Sequence, residues 1–322
     1  MNRFDRQYIL TGFGIDGQKK LRNASVLMVG AGGLGCPALL YLAAAGVGRI
    51  GVIDGDTVNV TNLNRQVLFG EKDLGKNKAE QAVRHFKDKY SDITWEIFPE
   101  FLTVQNAQEL IADYDLVIDG TDNFPTRYLV NDACLLHGKP FVFGAIYQHE
   151  GQVSVFNLGE EASNYRDVHP EMPGPNEIPN CAETGVLGVL PGIIGNLMAL
   201  EAIKVLSGYG EPLKNRMLYF NSLTSQTYEV ELKPKDSSSA PDSWLALENT
   251  DYQLACGNAK EMTWKEAMGK MNQNVAFVDV RELDELPPLV CTGLMKIPMS
   301  VLETELDKLE ESEQILIFCQ SL

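Results

Sequence analysis

The sequence predicts an α/β protein whose main domain is a doubly wound, mostly parallel sheet with an antiparallel extension. Short apolar runs, such as residues 26–29 and 115–119, alternate with segments of helical periodicity, such as 76–90 and 104–112. A glycine-rich turn joins the first apolar run to a helix, which is typical of a nucleotide-binding βαβ unit. From residue 151 the apolar residues recur with period two, and this change indicates antiparallel strands at one side of the sheet.

The remaining elements of the main domain follow in chain order. Residues 2–21 have mixed helical character and precede the first strand. The other predicted strands are residues 49–54, 93–98, 140–144, 152–156, 217–220 and 227–232. A Pro/Asn/Gly-rich crossover at 166–184 is too long for a plain connector, and an apolar helix follows it at 185–206. We therefore place the main domain at residues 1–233.

The composition changes after residue 233. The segment KPKDSSSAPD at 233–242 indicates a flexible linker, which we extend over residues 234–260. A second α/β pattern occupies residues 261–322, with helices at 263–271 and 300–309 and strands at 275–280 and 314–318. Because the chain stops soon after the last of these strands, we expect this second domain to be incomplete.

Composition also limits the class of partner and the compartment. The formal net charge of −17 argues against nucleic acid, whose phosphates require a basic surface. No run approaches the roughly 18 apolar residues of a membrane span, and the N-terminus does not resemble a signal peptide, so we expect a cytoplasmic protein without membrane contact. Six scattered cysteines without a CxxC pair predict reduced thiols.

The glycine-rich turn is the first candidate site. Its glycines, Gly30, Gly32, Gly33 and Gly35, would let the backbone approach phosphates at a helix N-terminus. Asp54, at the end of the next strand, can accept hydrogen bonds from a ribose. Taken alone, this fingerprint suggests NAD and is a weak signal, so an NAD-dependent oxidoreductase is one alternative.

The motifs after Asp54 are more specific. Over residues 3–232 the chain resembles the HesA/MoeB/ThiF family, the bacterial adenylyltransferases of the ubiquitin-activating superfamily, which have a Rossmann-like fold. The matching segments are RFDRQ at 3–7, the glycine turn at 30–35, Asp54, NLNRQ at 62–66, Lys78, TDN at 121–123 and NCAETG at 180–185. Several matches in the right order are far more specific than the glycine turn alone.

The resemblance implies a reaction in which the C-terminal Gly-Gly carboxylate of a ubiquitin-like sulfur-carrier protein attacks the α-phosphate of ATP and expels pyrophosphate. A carboxylate is already ionised at neutral pH, so no general base is needed. The site must instead bring the carboxylate close to the negatively charged triphosphate and neutralise the negative charge of the phosphates. By resemblance, Gly33 backs the phosphates, Asn62 and Arg65 contact them and Lys78 adds a second cation. Asp122 would help to hold Mg²⁺.

The resemblance gives two sets of site residues. Those expected to bind the nucleotide are Gly30, Gly32, Gly33, Gly35, Asp54, Asp56, Thr61, Asn62, Arg65, Gln66, Lys78, Asp122 and Asn123. Those expected to act in catalysis are Arg6, Arg65, Lys78, Asp122, Cys181 and Cys319. Arg6 matches a family arginine that reaches into the partner subunit's site, which implies a homodimer. Simpler alternatives remain, since Arg65 and Lys78 could be ordinary surface cations and Asp122 could only cap a helix.

The cysteines divide into two groups. Cys181 matches the family position that forms a thioester or an acyl disulfide in some members, and its place before a helix N-terminus could lower its pKa; the alternative is a packing residue. Cys36 and Cys134 lie in apolar helical contexts, and we expect them in the core. Close relatives bind structural zinc through two CxxC pairs, but residues 164–167 and 235–239 contain no thiol here, so we predict no structural zinc.

The C-terminal segment resembles a rhodanese module through FVDVRE at 277–282, KIP at 296–298 and IFCQS at 317–321. Cys319 occupies the position that carries a persulfide in that family. The chain as given stops at Leu322, before a loop whose backbone amides would stabilise the thiolate, so we expect little sulfurtransferase activity from it.

The sequence therefore predicts an ATP- and Mg²⁺-dependent adenylyltransferase that activates a sulfur carrier, either the small subunit of molybdopterin synthase or the thiamine sulfur carrier. The rhodanese fusion favours the molybdopterin type by analogy. The redox alternative gives Arg65, Lys78 and Asp122 no role. A third alternative is a non-catalytic scaffold that binds a ubiquitin-like tail without activating it.

Overall fold

The computed structural model describes residues 3–173, 185–235, 239–252, 267, 275–281, 293–298, 301–302, 305 and 314–318. The chain divides into two compact units, Met1–Ala255 and Cys256–Leu322.

Eight strands form the sheet of the first unit: β1 (Ser25–Val29), β2 (Arg49–Ile53), β3 (Thr94–Phe98), β4 (Leu116–Asp119), β5 (Phe141–Tyr147), β6 (Glu150–Phe156), β7 (Arg216–Asn221) and β8 (Gln226–Glu231). Their order across the sheet is β3-β2-β1-β4-β5-β6-β7-β8. The first five strands in the chain pair in parallel, and β6, β7 and β8 add in antiparallel pairs. This arrangement confirms the predicted fold class.

The helices described in this unit are α1 (Asp5–Tyr8), α2 (Gly14–Asn23), α3 (Gly35–Ala45), α4 (Lys78–Lys87), α5 (Val104–Ala112), α6 (Phe124–His137), α7 (Tyr165–Val168), α8 (Val189–Ser207) and α9 (Trp244–Glu248). Local chemistry explains two departures from the predicted bounds. The helix predicted at 76–90 begins at Lys78 because the Asn77 side chain caps it by accepting the Glu80 N–H. The helical region predicted at 2–21 is split into α1 and α2, where Gly12 and Gly14 have φ of +83° and +60°.

Apolar layers cover both faces of the sheet. Val26 and Met28 of β1 belong to one buried cluster, which includes residues of α3 and α8, whereas Leu27 and Val29 belong to a second cluster, which includes residues of α5 and α6. All five residues of β1 are buried. A strand covered on both faces reads as a continuous apolar run, which is why the sequence showed no alternation there.

Helix α8 corrects one expectation from the sequence. By length and composition it could cross a membrane, with a mean hydropathy of 1.6, although no such run was expected. In the structure it packs against α3, β5 and β6. Its buried Glu201 accepts hydrogen bonds from the Leu213 N–H at 2.7 Å and from Lys204 at 2.6 Å. These contacts pack α8 on the sheet and satisfy its buried carboxylate internally, while 44% of the apolar window is buried.

The last part of the first unit, residues 239–252, lies within the segment predicted as a linker at 234–260. Helix α9 packs on α5 and α6, and Leu247 is fully buried. The Tyr252 hydroxyl donates to the buried Asp132 carboxylate at 2.7 Å. Arg166 of α7 donates two hydrogen bonds to the same carboxylate, at 2.8 and 2.7 Å. One buried ion pair therefore joins α6, α7 and the segment after β8.

The second unit contains a three-stranded parallel sheet among its described residues. Its strands are β9 (Val275–Asp279), β10 (Leu294–Lys296) and β11 (Gln314–Phe318), in the order β10-β9-β11. The strands predicted at 275–280 and 314–318 are confirmed. The helices predicted at 263–271 and 300–309 fall almost entirely outside the described residues.

Candidate active site

The candidate site lies where the chain order of the sheet reverses. After β1 the chain adds β2 and β3 on one side, and it then returns to place β4 and β5 on the other. Nucleotides bind in the crevice at the carboxyl ends of strands at such a switch point. Gly30 and Gly120, which follow β1 and β4, border this crevice, and a Cβ built on Gly30 would lie 3.0 Å from the Gly120 carbonyl oxygen.

The glycine turn cannot accommodate side chains at its base. Gly30 has φ of +88°, and a Cβ on Gly35 would lie only 2.0 Å from the Gly30 carbonyl oxygen. Gly32 differs, because a Cβ there would meet nothing closer than the Gln66 amide nitrogen at 3.7 Å. Gly30 and Gly35 thus shape the turn that starts α3, whereas Gly32 leaves its surface open to a ligand.

Asp54 lies directly after β2 and is 7% exposed. Its carboxylate accepts the Ala31 N–H at 2.8 Å and the Asp56 N–H at 2.9 Å. Burial raises the pKa of Asp54, and this effect is opposed by the hydrogen bond from Ala31 and by the charge of Lys78. Each carboxylate oxygen has one remaining lone-pair direction, so Asp54 retains capacity to accept ribose hydroxyls.

Lys78 is joined to this network through Asp56. It is the first residue of α4, is 7% exposed, and its Nζ lies 2.8 Å from the Asp56 carboxylate. The contacts run in series from Lys78 to Asp56, then to Asp54 and the N–H of Ala31 in the glycine turn. A buried ammonium group is therefore held on the same side of the sheet end as the turn.

Arg65 lies beside the glycine turn. A Cβ on Gly33 would be 3.5 Å from the Arg65 Cδ and 3.3 Å from the Pro191 Cβ of α8. The Arg65 Nη1 donates to the Thr61 carbonyl oxygen at 3.0 Å and to the Asn64 Oδ1 at 3.1 Å. Among the described arginines that are buried or half-buried, Arg65 alone has no carboxylate partner. Its charge is therefore available to an anionic ligand.

The other predicted residues of this loop have distinct local roles. Asn62 Oδ1 accepts the Asn59 N–H at 2.9 Å, and Thr61 is exposed. Gln66 is 3% exposed, and its Oε1 is a buried acceptor without a partner in the part of the chain that the structure describes. A buried acceptor of this kind costs stability unless a donor reaches it, and the atom of Gln66 that faces Gly32 is the amide nitrogen.

The segment after β4 presents Asp122 on the surface. Asn123, and not Asp122, caps α6, because its side chain accepts the Thr126 N–H at 2.9 Å. The simple capping alternative for Asp122 is therefore wrong. Asp122 is exposed.

A buried ion pair that the sequence analysis missed supports this segment. Asp119 accepts from Arg127 at 3.2 Å and from the Thr121 hydroxyl at 2.6 Å, and Arg127 also donates to the Thr121 carbonyl oxygen at 3.0 Å. Both charged side chains are nearly inaccessible to solvent. The pair therefore holds Thr121, the residue before Asp122, in place from both sides.

Arg6 is not brought to the glycine turn of its own chain. It is exposed on α1, and the neighbouring Phe4 ring packs against Gly46 at the C-terminal end of α3. Helix α3 has 11 residues, so its two ends are about 16 Å apart, and the turn lies at the other end.

Two of the six predicted catalytic residues, Cys181 and Cys319, lie outside the described residues. Cys36 and Cys134 are fully buried, which confirms that they belong to the core. Burial raises the pKa of Cys36 to about 12 and also raises the pKa of Cys134. Neither thiol has the character of a nucleophile at neutral pH.

The donor set fits a nucleoside triphosphate. The glycine turn offers backbone N–H groups, Arg65 and Lys78 offer positive charge, and Asp54 offers ribose acceptors. The described residues contain no group of three or more His, Cys, Asp or Glu side chains that could hold a metal ion. Mg²⁺ at nucleotide sites needs only one or two carboxylates together with phosphate oxygens, and the exposed Asp122 fits that requirement.

The chain resembles proteins of one known family over most of its length. Residues 4–241 match the ThiF family. A Thermus thermophilus protein named sulfur carrier protein adenylyltransferase is 47% identical over 262 residues, covering 80% of this chain and 97% of that protein. An Arabidopsis thaliana protein named adenylyltransferase and sulfurtransferase MOCS3 is 37% identical over 330 residues, which cover 95% of this chain and 70% of that protein.

Among solved structures, Escherichia coli MccB superposes with a TM-score of 0.66 at 23% identity, covering 74% of this chain and 72% of that one, which supports the fold. The family match extends over most of the chain, and the relatives are covered over most of their length. The chain therefore belongs to the ThiF family.

Proposed function

We propose that this protein is an ATP-dependent adenylyltransferase that activates the C-terminal carboxylate of a ubiquitin-like sulfur-carrier protein. The observation that carries the proposal is Arg65, a half-buried guanidinium beside the glycine turn that no carboxylate neutralises in the described chain. In a chain with 44 acidic and 27 basic residues, such a cation next to a phosphate-binding turn indicates a polyanionic substrate. The relatives named as sulfur-carrier adenylyltransferases supply the class of the second substrate.

The reaction joins a carboxylate oxygen of the carrier to the α-phosphorus of ATP, and the bond from that phosphorus to the bridging oxygen of pyrophosphate breaks. No proton has to be removed from the attacking group. In this scheme Asp54 fixes the ribose, the N–H groups of the glycine turn bind phosphate oxygens, and Arg65 and Lys78 offset the charge that moves onto the leaving group. Mg²⁺, when bound beside Asp122, would supply further charge neutralisation on the phosphates.

We also propose that the active form is a homodimer in which Arg6 serves the partner's site. Its distance from its own glycine turn supports an action in trans, because an arginine side chain cannot span α3. Large apolar side chains are exposed in the N-terminal part of the chain, with Ile9 at 73%, Ile15 at 57% and Tyr41 at 57%. Light scattering is expected to give the mass of two chains, and a mass of one chain at assay concentration would contradict this part of the proposal.

The test of the function is ATP–pyrophosphate exchange with purified carriers that end in Gly-Gly, using the molybdopterin-synthase small subunit and the thiamine sulfur carrier as separate probes. Arg65→Ala is expected to lower kcat/KM by about 10²- to 10³-fold, as removal of one preorganised charge donor does. Arg84→Ala is the matched control, since Arg84 is an exposed arginine of α4, and it is expected to retain activity.

The alternatives give different outcomes in the same experiment. Binding of NAD, with no pyrophosphate exchange in the presence of either carrier, would favour an oxidoreductase. The relatives that are named adenylyltransferases argue against this alternative. Carrier binding with unchanged carrier modification after Arg65→Ala would rule out catalysis by this site.

A further inference from the structure

The direction of the Arg65 guanidinium is set by two neutral acceptors. Its Nη1 donates to the Thr61 carbonyl oxygen at 3.0 Å and to the Asn64 side-chain oxygen at 3.1 Å. A guanidinium has five N–H groups, so these bonds orient it and leave Nε and Nη2 for a ligand. Without such bonds a long arginine side chain would sample several rotamers, and binding a ligand would have to order it.

The backbone that carries Asn64 is held by the N-terminus of α8. A Cβ on Gly188, the residue before α8, would lie 2.1 Å from the Asn64 carbonyl oxygen and 3.3 Å from the Arg65 Cα. Only glycine fits at this contact. On the other side, the Arg65 stem lies against Gly33, and Pro191 of α8 reaches the same glycine. The loop is thus fixed between the glycine turn and the first turn of α8.

We propose that Asn64 is a positioning residue that, with its backbone held against Gly188, directs the Arg65 guanidinium toward the triphosphate. The inference rests on the proposed function and names a residue that acts on ATP only through Arg65. The neutrality of the Asn64 amide is part of its role, because a carboxylate at the same point would pair with Arg65. An ion pair at this point would offset the positive charge of Arg65 and reduce the attraction between Arg65 and phosphate.

The test measures the Kd of ATP by calorimetry, together with kcat and KM of pyrophosphate exchange, in the full chain. Asn64→Ala is expected to weaken ATP binding about tenfold, because one orienting bond to a charged group is lost. Asn64→Asp is nearly isosteric and is expected to weaken it more, with the change mainly in the KM for ATP. Val67→Ala is the control, since Val67 is an exposed side chain in the same loop at 61% exposure, and it is expected to bind as the unchanged protein does.

A double-mutant cycle separates positioning from a structural role. In the Arg65→Ala background, Asn64→Ala is expected to change the Kd of ATP by less than twofold, because the group that it positions is gone. An equal tenfold loss in both backgrounds would overturn the inference, and so would unchanged binding by Asn64→Ala or stronger binding by Asn64→Asp.

The outcome also separates this inference from the proposed function. If Arg65→Ala leaves ATP binding and exchange intact, the proposed function fails and Asn64 has nothing to position. If Arg65→Ala abolishes exchange while Asn64→Ala has no effect, the proposed function stands and only the role of Asn64 is refuted.

Discussion

Removal of the Asp132 carboxylate should be one of the most destabilising single changes in the first unit. Asp132 is fully buried and accepts four hydrogen bonds: two from Arg166, one from the Tyr252 hydroxyl and one from the Asn131 amide at 2.9 Å. The side chain of its ion-pair partner Arg166 is only 8% exposed. Asp132→Ala would leave that guanidinium buried beside an empty space that no charge fills.

The expected magnitude follows from this geometry. Breaking a buried ion pair by removing one partner costs about 3–5 kcal/mol, because the remaining charge is left without compensation. A domain is stable by roughly 5–15 kcal/mol in total, so the loss is a large share of the free energy of unfolding. Replacing the ion pair and the tyrosine hydroxyl by apolar groups, as in Asp132→Leu with Arg166→Met and Tyr252→Phe, is expected to cost less than Asp132→Ala alone, because no charge stays buried.

Native-state hydrogen exchange in urea, followed on peptides from β5 and α6, would measure the free energy of unfolding of this unit alone. Asp16→Ala is the matched control, because Asp16 is a 92% exposed side chain whose nearest cation, Lys19, is 3.9 Å away. It is expected to change stability by less than about 0.5 kcal/mol. A loss below about 1 kcal/mol for Asp132→Ala, or a triple variant less stable than Asp132→Ala, would refute the reasoning.

Two further predictions concern the nucleotide turn and the buried thiols. Gly35→Ala is expected to destabilise the unit by about 1–3 kcal/mol or more, because its Cβ would lie 2.0 Å from the Gly30 carbonyl oxygen. Gly32→Ala should fold normally but bind ATP about tenfold more weakly, because its methyl group occupies the open side of the turn. Thermal melts measure the stability of both variants, and calorimetry measures their affinity for ATP. Normal ATP affinity in Gly32→Ala would contradict the assigned phosphate site. Cys36, whose pKa burial raises to about 12, and Cys134 should resist iodoacetamide throughout pH 7–9 in the folded protein, as mapped by mass spectrometry; a rate that rises with pH in this range would mean that a thiol is accessible and ionises there.

The sequence was most informative where function depends on residues close together in the chain. The glycine turn, Asp54 and Lys78 were predicted from motifs, and the structure links them through hydrogen bonds that span a few residues or one βαβ unit. Their roles toward ATP remain predictions. The mostly parallel character of the sheet followed from the alternation of helices and strands, because parallel strands need crossover connections.

The parts that the sequence could not predict depend on contacts between distant segments. Nothing near Asn64 indicates that Gly188, more than a hundred residues later, lies against its carbonyl group. The only sign of the Asp119–Arg127 pair in the sequence is that Arg127 is followed directly by three apolar residues, which are buried in the structure. The sequence could not show which of the many acidic residues pairs with Arg127. Asp122 could not be distinguished from a cap without knowing that Asn123 performs that task.

The close approach of Gly30 and Gly120 has a consequence for how this protein can change over evolution. The two nearest atoms to Gly30 across the crevice belong to the Gly120 peptide group, so this part of the wall is mainly backbone, whose chemistry is the same whatever the side chains are. Substitution there can narrow or close the crevice but cannot retune it for a different base or phosphate. Divergence among such enzymes is therefore directed to the surrounding loops and to the surfaces that meet the protein substrate.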